Sequence, residues 1–410
     1  MNSNLNLIPA QSFVPSAKQP DYAVVMDLMS SIRGVAALIV AAVHAFQIFV
    51  LPYFGLYGAA HLTTSFFAAY SVIAFFIVSG FMIFVSVAKH RDGDGCFDAI
   101  GFSRARIFRI YPPLIASVIA SFAVFFIVKS LDLHGASSFR LGDELFLSRE
   151  RVDFEWDRLL PTLLLIYNVF PHTTPPLSVN GPLWTLAFEW WFYIFAMACA
   201  GLRSRHSFWL GWLPLGVLLF VFFNQPSGIL FWVFFVVWHA GFFMGYLYLR
   251  GGLHSNQFLR NSILLLLFFV LCIVAVGEGQ PIKYLIEPLQ RLGKRAHVVM
   301  MFAALILTVA LATAIRCKLR GRLLVSTARY SYTLYVLHFP LLIFAFSLLH
   351  PIVYKMGWIA SCLAGFFSLF ITIYVSARLA KIVEDRDLII GFIASRRKNG
   401  SIAKCKATSP

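Results

Sequence analysis

The sequence predicts an all-α fold: a polytopic transmembrane helix bundle of about ten spans with no soluble domain. Apolar residues make up 60% of the 410 positions and charged residues only 13%, whereas soluble domains carry about 25% charged residues. Apolar runs recur along the chain, and a run of roughly 20 residues is long enough to cross a bilayer. These runs are 31–51, 68–88, 112–130, 183–201, 208–223, 227–248, 262–277, 297–316, 330–350 and 358–380.

The chain divides into three predicted parts. Residues 1–26 form a polar N-terminal segment, 27–385 the transmembrane domain and 386–410 a basic tail. The stretch from Pro161 to Phe170 is too short to cross and is expected to be re-entrant or interfacial. The six cysteines show neither CxxC spacing nor a local pairing pattern. We therefore expect no disulfide framework and no metal site.

The distribution of Lys and Arg predicts the orientation in the membrane. The net charge is +16, and most basic residues lie in segments on the side of the two termini. The positive-inside rule therefore places both termini in the cytoplasm, in a multi-pass protein of the cell (inner) membrane that contacts membrane lipids. The loop 278–296, with Lys294 and Arg295, fits this orientation least well. No basic stripe interleaved with exposed aromatics is present, so nucleic acid is not an expected partner.

Two ionisable residues interrupt the first apolar run. At ~100° per residue, the positions from Arg33 to His44 make almost three helical turns, so both side chains project from one face, ~16 Å apart along the axis. An ionisable group that faces lipid at this depth costs at least a few kcal/mol. The face is therefore expected to meet a polar cavity, although snorkelling of Arg33 and capping of a neighbouring carbonyl by His44 are the simpler alternatives.

The stretch FSRARIFRIYPP, residues 102–113, places Arg106 and Arg109 one helical turn apart beside a span. The planar guanidinium group suits bidentate binding of phosphate. Cytoplasmic arginines beside a span more often set orientation or contact lipid headgroups. Together with Arg33 on the same membrane face, they predict a site for an anionic cytosolic ligand.

The stretch NGPLWTLAFEWWFY, residues 180–193, is the strongest local signal. Pro182 suits the first turn of a helix, and Glu189 and Tyr193 then share a face at i, i+4, roughly two turns in from the extracytoplasmic end. A carboxylate at that depth needs a partner, which for a structural role would be a basic residue of another helix. Trp184 is a candidate platform for a sugar ring, or alternatively an interfacial belt residue.

Two further stretches contain polar residues within spans. In FFIVSGFMIF, residues 75–84, the small Ser79 and Gly80 favour close helix packing, or else leave room for a ligand chain. In RYSYTLYVLHFP, residues 329–340, Tyr335 and His338 lie at i, i+3. A histidine in that context is more often a packing residue than a catalytic one.

Taken together, these stretches resemble the acyltransferase 3 family of integral-membrane O-acyltransferases. The resemblance covers most of residues 27–385, and the order and spacing of the motifs carry it: Arg33 with His44, the FFIVSGF run, Arg106-x-x-Arg109 and GPLWTLAFEWWFY. SYTLYVLHFP and Glu384 are similar to later family features. The resemblance implies a roughly ten-helix bundle that moves an acyl group, commonly acetyl from acetyl-CoA, to a carbohydrate or lipid-linked hydroxyl.

The residues and the resemblance together predict a mechanism. Arg33, Arg106 and Arg109 at one mouth of a cavity are expected to bind the phosphates of acyl-CoA, which is a donor substrate and not a bound cofactor. His44 is expected to act as general base toward the acceptor hydroxyl, or else to be transiently acylated. Glu189, toward the other mouth, is expected to help orient the acceptor glycan, with Tyr193, Trp184 and Ser79 as substrate contacts.

The same residue types also suit other functions. Intramembrane His, Arg and Glu also form the pathways of transporters and exporters, although no internal repeat is visible, which disfavours transporters built from duplicated halves. A scaffold without chemistry fits poorly with so many ionisable residues at depth. The sequence does not distinguish acetyl from succinyl transfer, nor does it name the acceptor.

Overall fold

The structure is a computed structural model that describes most of the chain. The described residues are 21–54, 59–91, 96–133, 140–141, 144–145, 152–170, 173, 175–202, 208–224, 227, 229–254, 260, 293–319, 325–385 and 388–389.

Helices make up nearly all of the described chain. Two-residue strands β1 (Arg140–Leu141) and β2 (Glu144–Leu145) pair antiparallel, and 3-10 turns occupy Leu51–Tyr53, Ser178–Leu183, Gly252–His254 and Tyr354–Met356. The α-helices are α1 (Tyr22–Phe49), α2 (Ala59–Lys89), α3 (Ala99–Ser130), α4 (Trp156–Leu164), α5 (Trp184–Leu202), α6 (Phe208–Asn224), α7 (Ile229–Leu249), α8 (Gly293–Arg316), α9 (Val325–Ala328), α10 (Ser331–Val353) and α11 (Trp358–Val383).

The predicted all-α membrane bundle is confirmed. Within the described residues, seven helical segments are long and apolar enough to cross a bilayer: Tyr22–Phe49, Thr63–Lys89, Ala99–Ser130, Ser178–Leu202, Leu230–Leu249, Ser331–Met356 and Trp358–Val383. They correspond to seven of the predicted runs. The runs 208–223 and 297–316 fall on α6 and α8. The run 262–277 lies outside the described residues, as do most of the polar N-terminal segment and the basic tail.

The stretch between Pro161 and Phe170 does not form a span. Its first residues belong to the nine-residue helix α4, which ends where Leu165 adopts a left-handed backbone conformation with φ 55°. The chain that follows folds back into the bundle, because Leu165 and Tyr167 are fully buried and the Tyr167 hydroxyl donates to the carbonyl of Leu183 at 2.6 Å. The prediction that this stretch does not cross is confirmed.

Glycines allow α2 and α7 to pack with their backbones in contact. A Cβ atom at Gly80 would lie 2.0 Å from the carbonyl oxygen of Trp238, and one at Gly241 would lie 1.9 Å from that of Ile77. No side chain fits at either position, so the predicted packing role of Gly80 is confirmed. This close approach brings Ser79 and Trp238 together at the centre of the bundle.

Helices α1 and α10 run side by side in the same direction. Arg33 contacts Ser331 at the start of α10, His44 contacts His338 and Phe49 contacts Phe346. The predicted common face of Arg33 and His44 is therefore confirmed, since both side chains meet the same helix.

A proline in α10 anchors the 3-10 turn that precedes α5. Pro340 has no N–H, so the carbonyl of Val336 lacks its helical partner. The side chain of Asn180 supplies that partner, since Nδ2 donates to the Val336 oxygen at 2.9 Å and Asn180 is fully buried. The turn Ser178–Leu183 therefore sits deep in the bundle, and α5 begins there and not at the surface.

Candidate active site

A cavity of about 240 Å³ opens between α1, α2, α3 and α5. Most of the residues that the sequence singled out line it. Those residues are Arg33 from α1, Ser79 from α2, Arg106 and Arg109 from α3, and Glu189 and Tyr193 from α5.

Glu189 is held in a network of hydroxyl groups. Its Oε1 accepts a hydrogen bond from Ser79 Oγ at 2.8 Å and another from the Tyr193 hydroxyl. Ser79 Oγ also accepts from the indole N–H of Trp238 at 3.4 Å. The i, i+4 relationship of Glu189 and Tyr193 is confirmed, and the partners of the carboxylate are hydroxyls of α2 and α5. Within the described residues Glu189 has no salt bridge to a basic residue.

Two of the three cavity arginines, Arg33 and Arg106, are held by neutral groups. Arg33 donates from Nε to Ser331 Oγ at 3.3 Å and from Nη2 to the Ala328 carbonyl at 3.4 Å. Arg106 donates to Ser86 Oγ at 3.3 Å, and its guanidinium lies 5.9 Å from the centre of the Tyr193 ring.

None of the three cavity arginines forms a salt bridge with a carboxylate in the part of the chain that the structure describes. The buried Arg106 Nε also has no hydrogen-bond partner there. Lys89 lines the same cavity, with its ammonium 4.9 Å from the centre of the Tyr22 ring. Four cationic groups therefore face a cavity that contains one carboxylate, which favours binding of an anion.

A smaller inner cavity of about 30 Å³ adjoins the first. The two share a wall formed by Arg33, Phe75, Ser79, Arg109 and Glu189. The other lining residues of the inner cavity come from α2, α5 and α10, and are Val72, Phe76, Thr185, Tyr332 and Tyr335.

The position of Glu189 corrects one expectation. Glu189 is about two helical turns from the extracytoplasmic end of its predicted span. The sequence therefore predicted that this carboxylate lies toward the opposite mouth of the cavity from the arginines. The structure instead places Glu189 in the same cavity as Arg33, Arg106 and Arg109. The reason is the buried turn at Asn180, which starts α5 deep in the bundle, so that two turns further bring Glu189 level with Ser79.

His44 lies one layer beyond the inner cavity. It lines neither the larger outer cavity nor the inner one. Its ring packs on His338, with centroids 5.2 Å apart, and on Phe339 at 5.3 Å. His338 is fully buried and lies 5.9 Å from Tyr335, whose side chain lines the inner cavity. The structure therefore connects His44 to the cavity through His338 and Tyr335.

Trp184 is placed away from both cavities. Its ring packs on Phe188 at 5.6 Å and on Phe234 at 5.4 Å, within an aromatic cluster between α5 and α7. Trp184 lines neither the outer cavity nor the inner cavity. The other predicted substrate contacts, Ser79 and Tyr193, both line the outer cavity.

Sequence reasoning missed several residues of the site. Ser86 and Lys89 follow Ser79 at i+7 and i+10, a helical spacing that indicates the same face of α2. Tyr332 of the inner cavity carries no such signal, because its position depends on how α10 packs. Glu384, noted only through the resemblance, accepts hydrogen bonds from the backbone N–H and the hydroxyl of Thr333, and so caps the start of α10 beside Arg33.

Comparisons with known proteins identify the family of the chain. Residues 29–377 match the acyltransferase 3 family, described as "Acyltransferase domain". Acyltransferase MdmB of Streptomyces mycarofaciens is 29% identical over 177 residues, which span 43% of this chain and 39% of the relative. The match therefore covers less than half of that protein's length. No solved structure gives a significant match. Because the family match extends over most of the chain, this membrane protein belongs to the acyltransferase 3 family.

Proposed function

We propose that the protein is an integral-membrane O-acyltransferase that moves an acyl group, most simply acetyl, from acyl-CoA to a hydroxyl group. The acceptor is a cell-surface or exported carbohydrate, or a lipid-linked sugar. The observation that carries the proposal is the outer cavity, in which the guanidinium groups of Arg33, Arg106 and Arg109 face one hydrogen-bonded carboxylate, Glu189.

The arginines suit the donor substrate. The nucleotide part of acyl-CoA carries phosphate groups, and charge-assisted hydrogen bonds from guanidinium to phosphate are among the stronger polar contacts in proteins. Arg106 has a buried donor, Nε, without a partner in the described chain, and Lys89 adds a fourth positive charge. In the predicted orientation both termini lie in the cytoplasm. The open end of the outer cavity then faces the cytosolic acyl-CoA pool.

The reaction forms an ester and releases CoA as a thiol. The acceptor oxygen bonds to the thioester carbonyl carbon, the C–S bond breaks, and the hydroxyl proton ends on the CoA sulfur. We propose that His44 is the base that takes this proton, and that the proton passes to it from the inner cavity by way of Tyr335 and His338, which lie between them. Glu189, held by Ser79 and Tyr193, supplies a negative charge that orients the acceptor and supports the loss of its hydroxyl proton.

Purified protein in detergent, incubated with labelled acetyl-CoA, tests the proposal. We expect slow release of CoA that depends on His44, and transfer of the label to added acceptor glycans. Absence of CoA release with every acceptor class, together with acyl-CoA or glycan uptake into proteoliposomes, would identify a transporter instead. Analysis of surface glycans from a deletion strain then identifies the acceptor.

A further inference from the structure

The inner cavity has the size of a short acyl group. Its volume is about 30 Å³, against about 240 Å³ for the outer cavity. A buried water needs ~10–15 Å³ on this measure, so the inner cavity holds a group of roughly two or three heavy atoms. Lys89 and Ser79 both line the outer cavity and are ten residues, about 15 Å, apart along α2. A ligand whose phosphates lie at the Lys89 end can therefore extend through the outer cavity and across the shared wall into the inner one.

Tyr332 is one of the polar side chains that line the inner cavity. The side chain of Tyr332 is 8% exposed, and its buried hydroxyl has no hydrogen-bond partner among the described residues. Glu189 and Arg109 line the same cavity as Tyr332. A buried phenol without a protein partner is placed to donate to a bound group.

The other tyrosine of the inner cavity is already engaged. The Tyr335 hydroxyl donates to the Pro182 carbonyl at 3.0 Å and also contacts the Thr185 hydroxyl. The remaining lining residues outside the shared wall, Val72 and Phe76, are apolar. The cavity therefore offers one apolar side, formed by Val72 and Phe76, for a short alkyl group and the Tyr332 phenol for an oxygen atom.

We propose that the inner cavity is the acyl pocket, in which the Tyr332 hydroxyl donates a hydrogen bond to the thioester carbonyl oxygen and the small volume selects acetyl over longer acyl groups. This inference rests on the proposed transfer from acyl-CoA. The CoA portion then occupies the outer cavity, and the reacting carbonyl lies at the shared wall beside Glu189.

The role of Tyr332 follows from where charge develops. As the acceptor oxygen bonds to the carbonyl carbon, an electron pair moves to the carbonyl oxygen; it returns as the C–S bond breaks and the hydroxyl proton passes to the CoA sulfur. Tyr332 keeps its own proton throughout and stabilises the transient oxyanion. Removing one such preorganised donor typically lowers kcat by ~10²–10³-fold.

Tyr332→Phe tests the hydrogen bond. Phenylalanine keeps the ring, and the lost hydroxyl has no partner among the described residues, so we expect an unchanged apparent melting temperature. We expect kcat for acetyl transfer to fall about 10²-fold, with the KM for acetyl-CoA within about twofold of wild type, since the phosphate contacts are untouched. Tyr248→Phe is the matched control: its hydroxyl is also buried and without a partner in the described chain, but Tyr248 lines neither cavity.

Val72→Ala tests the size of the pocket. A methylene group in an apolar pocket changes specificity by ~10–200-fold, so the wild type should prefer acetyl-CoA over propionyl-CoA by at least about tenfold. In the variant we expect this ratio of kcat/KM to fall toward one.

The outcomes separate this inference from the proposed function. A wild type that transfers no acyl group would overturn the function itself. An active wild type with a Tyr332→Phe variant of normal kcat, or with equal use of acetyl-CoA and propionyl-CoA, would overturn the acyl pocket alone.

Discussion

The imidazole rings of His44 and His338 pack against each other, with centroids 5.2 Å apart and ring planes inclined at 32°. Nδ1 of His338 lies 2.7 Å from the Tyr335 carbonyl and 3.2 Å from that of Leu334. Carbonyls only accept hydrogen bonds, so Nδ1 carries the proton and Nε2 carries the lone pair. In the described chain this Nε2 is buried and has no partner. A backbone-fixed imidazole therefore stands beside the residue assigned as base.

Replacement of His44 should separate binding from chemistry. His44→Ala is expected to abolish acyl transfer while acyl-CoA binding stays near wild type, because the arginine level of α1 is ~16 Å away along the helix. His44→Gln keeps a donor and an acceptor but cannot exchange a proton near neutral pH. Isothermal titration with acyl-CoA and single-turnover kinetics measure the two quantities.

The rate of the His44→Gln variant shows whether His44 acts as a base or positions other groups. General-base catalysis contributes ~10²–10⁴-fold, so His44→Gln should fall well below a tenth of the wild-type rate. If His44→Gln retains more than about a tenth of the wild-type rate, His44 is a positioning residue. A labelled acyl-histidine trapped by acid quench would indicate the covalent route instead.

His338 should act through His44. His338→Asn retains a donor near the Tyr335 carbonyl but lacks the ring nitrogen Nε2, and we expect kcat to fall about tenfold or more without a change in the KM for acyl-CoA. In a His44→Gln background the same change should cost almost nothing further, since residues that act as a unit are not additive. Multiplicative losses in the double variant, with a lowered melting temperature, would assign His338 a packing role.

The arginines of α3 should control donor binding. Arg106→Ala and Arg109→Ala are each expected to raise the KM for acyl-CoA roughly tenfold or more, because a charge-assisted phosphate contact contributes ~1.5–3 kcal/mol. The KM for the acceptor should change little. Arg378→Ala serves as the control, because Arg378 contacts Tyr374 on the exposed surface of α11. A selective rise in the acceptor KM would reassign this cavity to the acceptor.

The charge of Glu189 should matter more than its hydrogen bonds. Glu189→Gln keeps an acceptor for Ser79 and Tyr193 and removes only the negative charge. We expect at least a tenfold loss of kcat with normal membrane insertion and an unchanged melting temperature. Glu155→Gln is the control, because Glu155 forms an ion pair with Arg158 and lines neither cavity. Normal kinetics in Glu189→Gln would leave the carboxylate a structural role.

Local periodicity predicted much of the site. The common face of Arg33 and His44 and that of Glu189 and Tyr193 follow from residues per turn, which an apolar environment leaves unchanged. The depth of Glu189 did not follow, because it depends on a buried turn whose anchor, the Val336 carbonyl, belongs to a distant helix. Tyr332 was missed for the same reason: a tertiary contact, not a spacing, brings it to the cavity.

The pairing of Asn180 with the Val336 carbonyl yields a prediction about stability. Asn180→Ala leaves a buried carbonyl without a partner, which costs ~1–3 kcal/mol, so the melting temperature in detergent should fall measurably. Asn180→Asp loses the donor and adds a buried charge, and it should be worse.

A compensating change makes this test specific. Pro340→Ala restores a backbone N–H that can donate a hydrogen bond to the Val336 carbonyl within α10. We therefore expect Asn180→Ala to cost much less stability in a Pro340→Ala background than alone, as measured by a thermal double-mutant cycle. Equal losses in both backgrounds would show that Asn180 stabilises the turn by packing and not through the carbonyl that proline leaves unpaired.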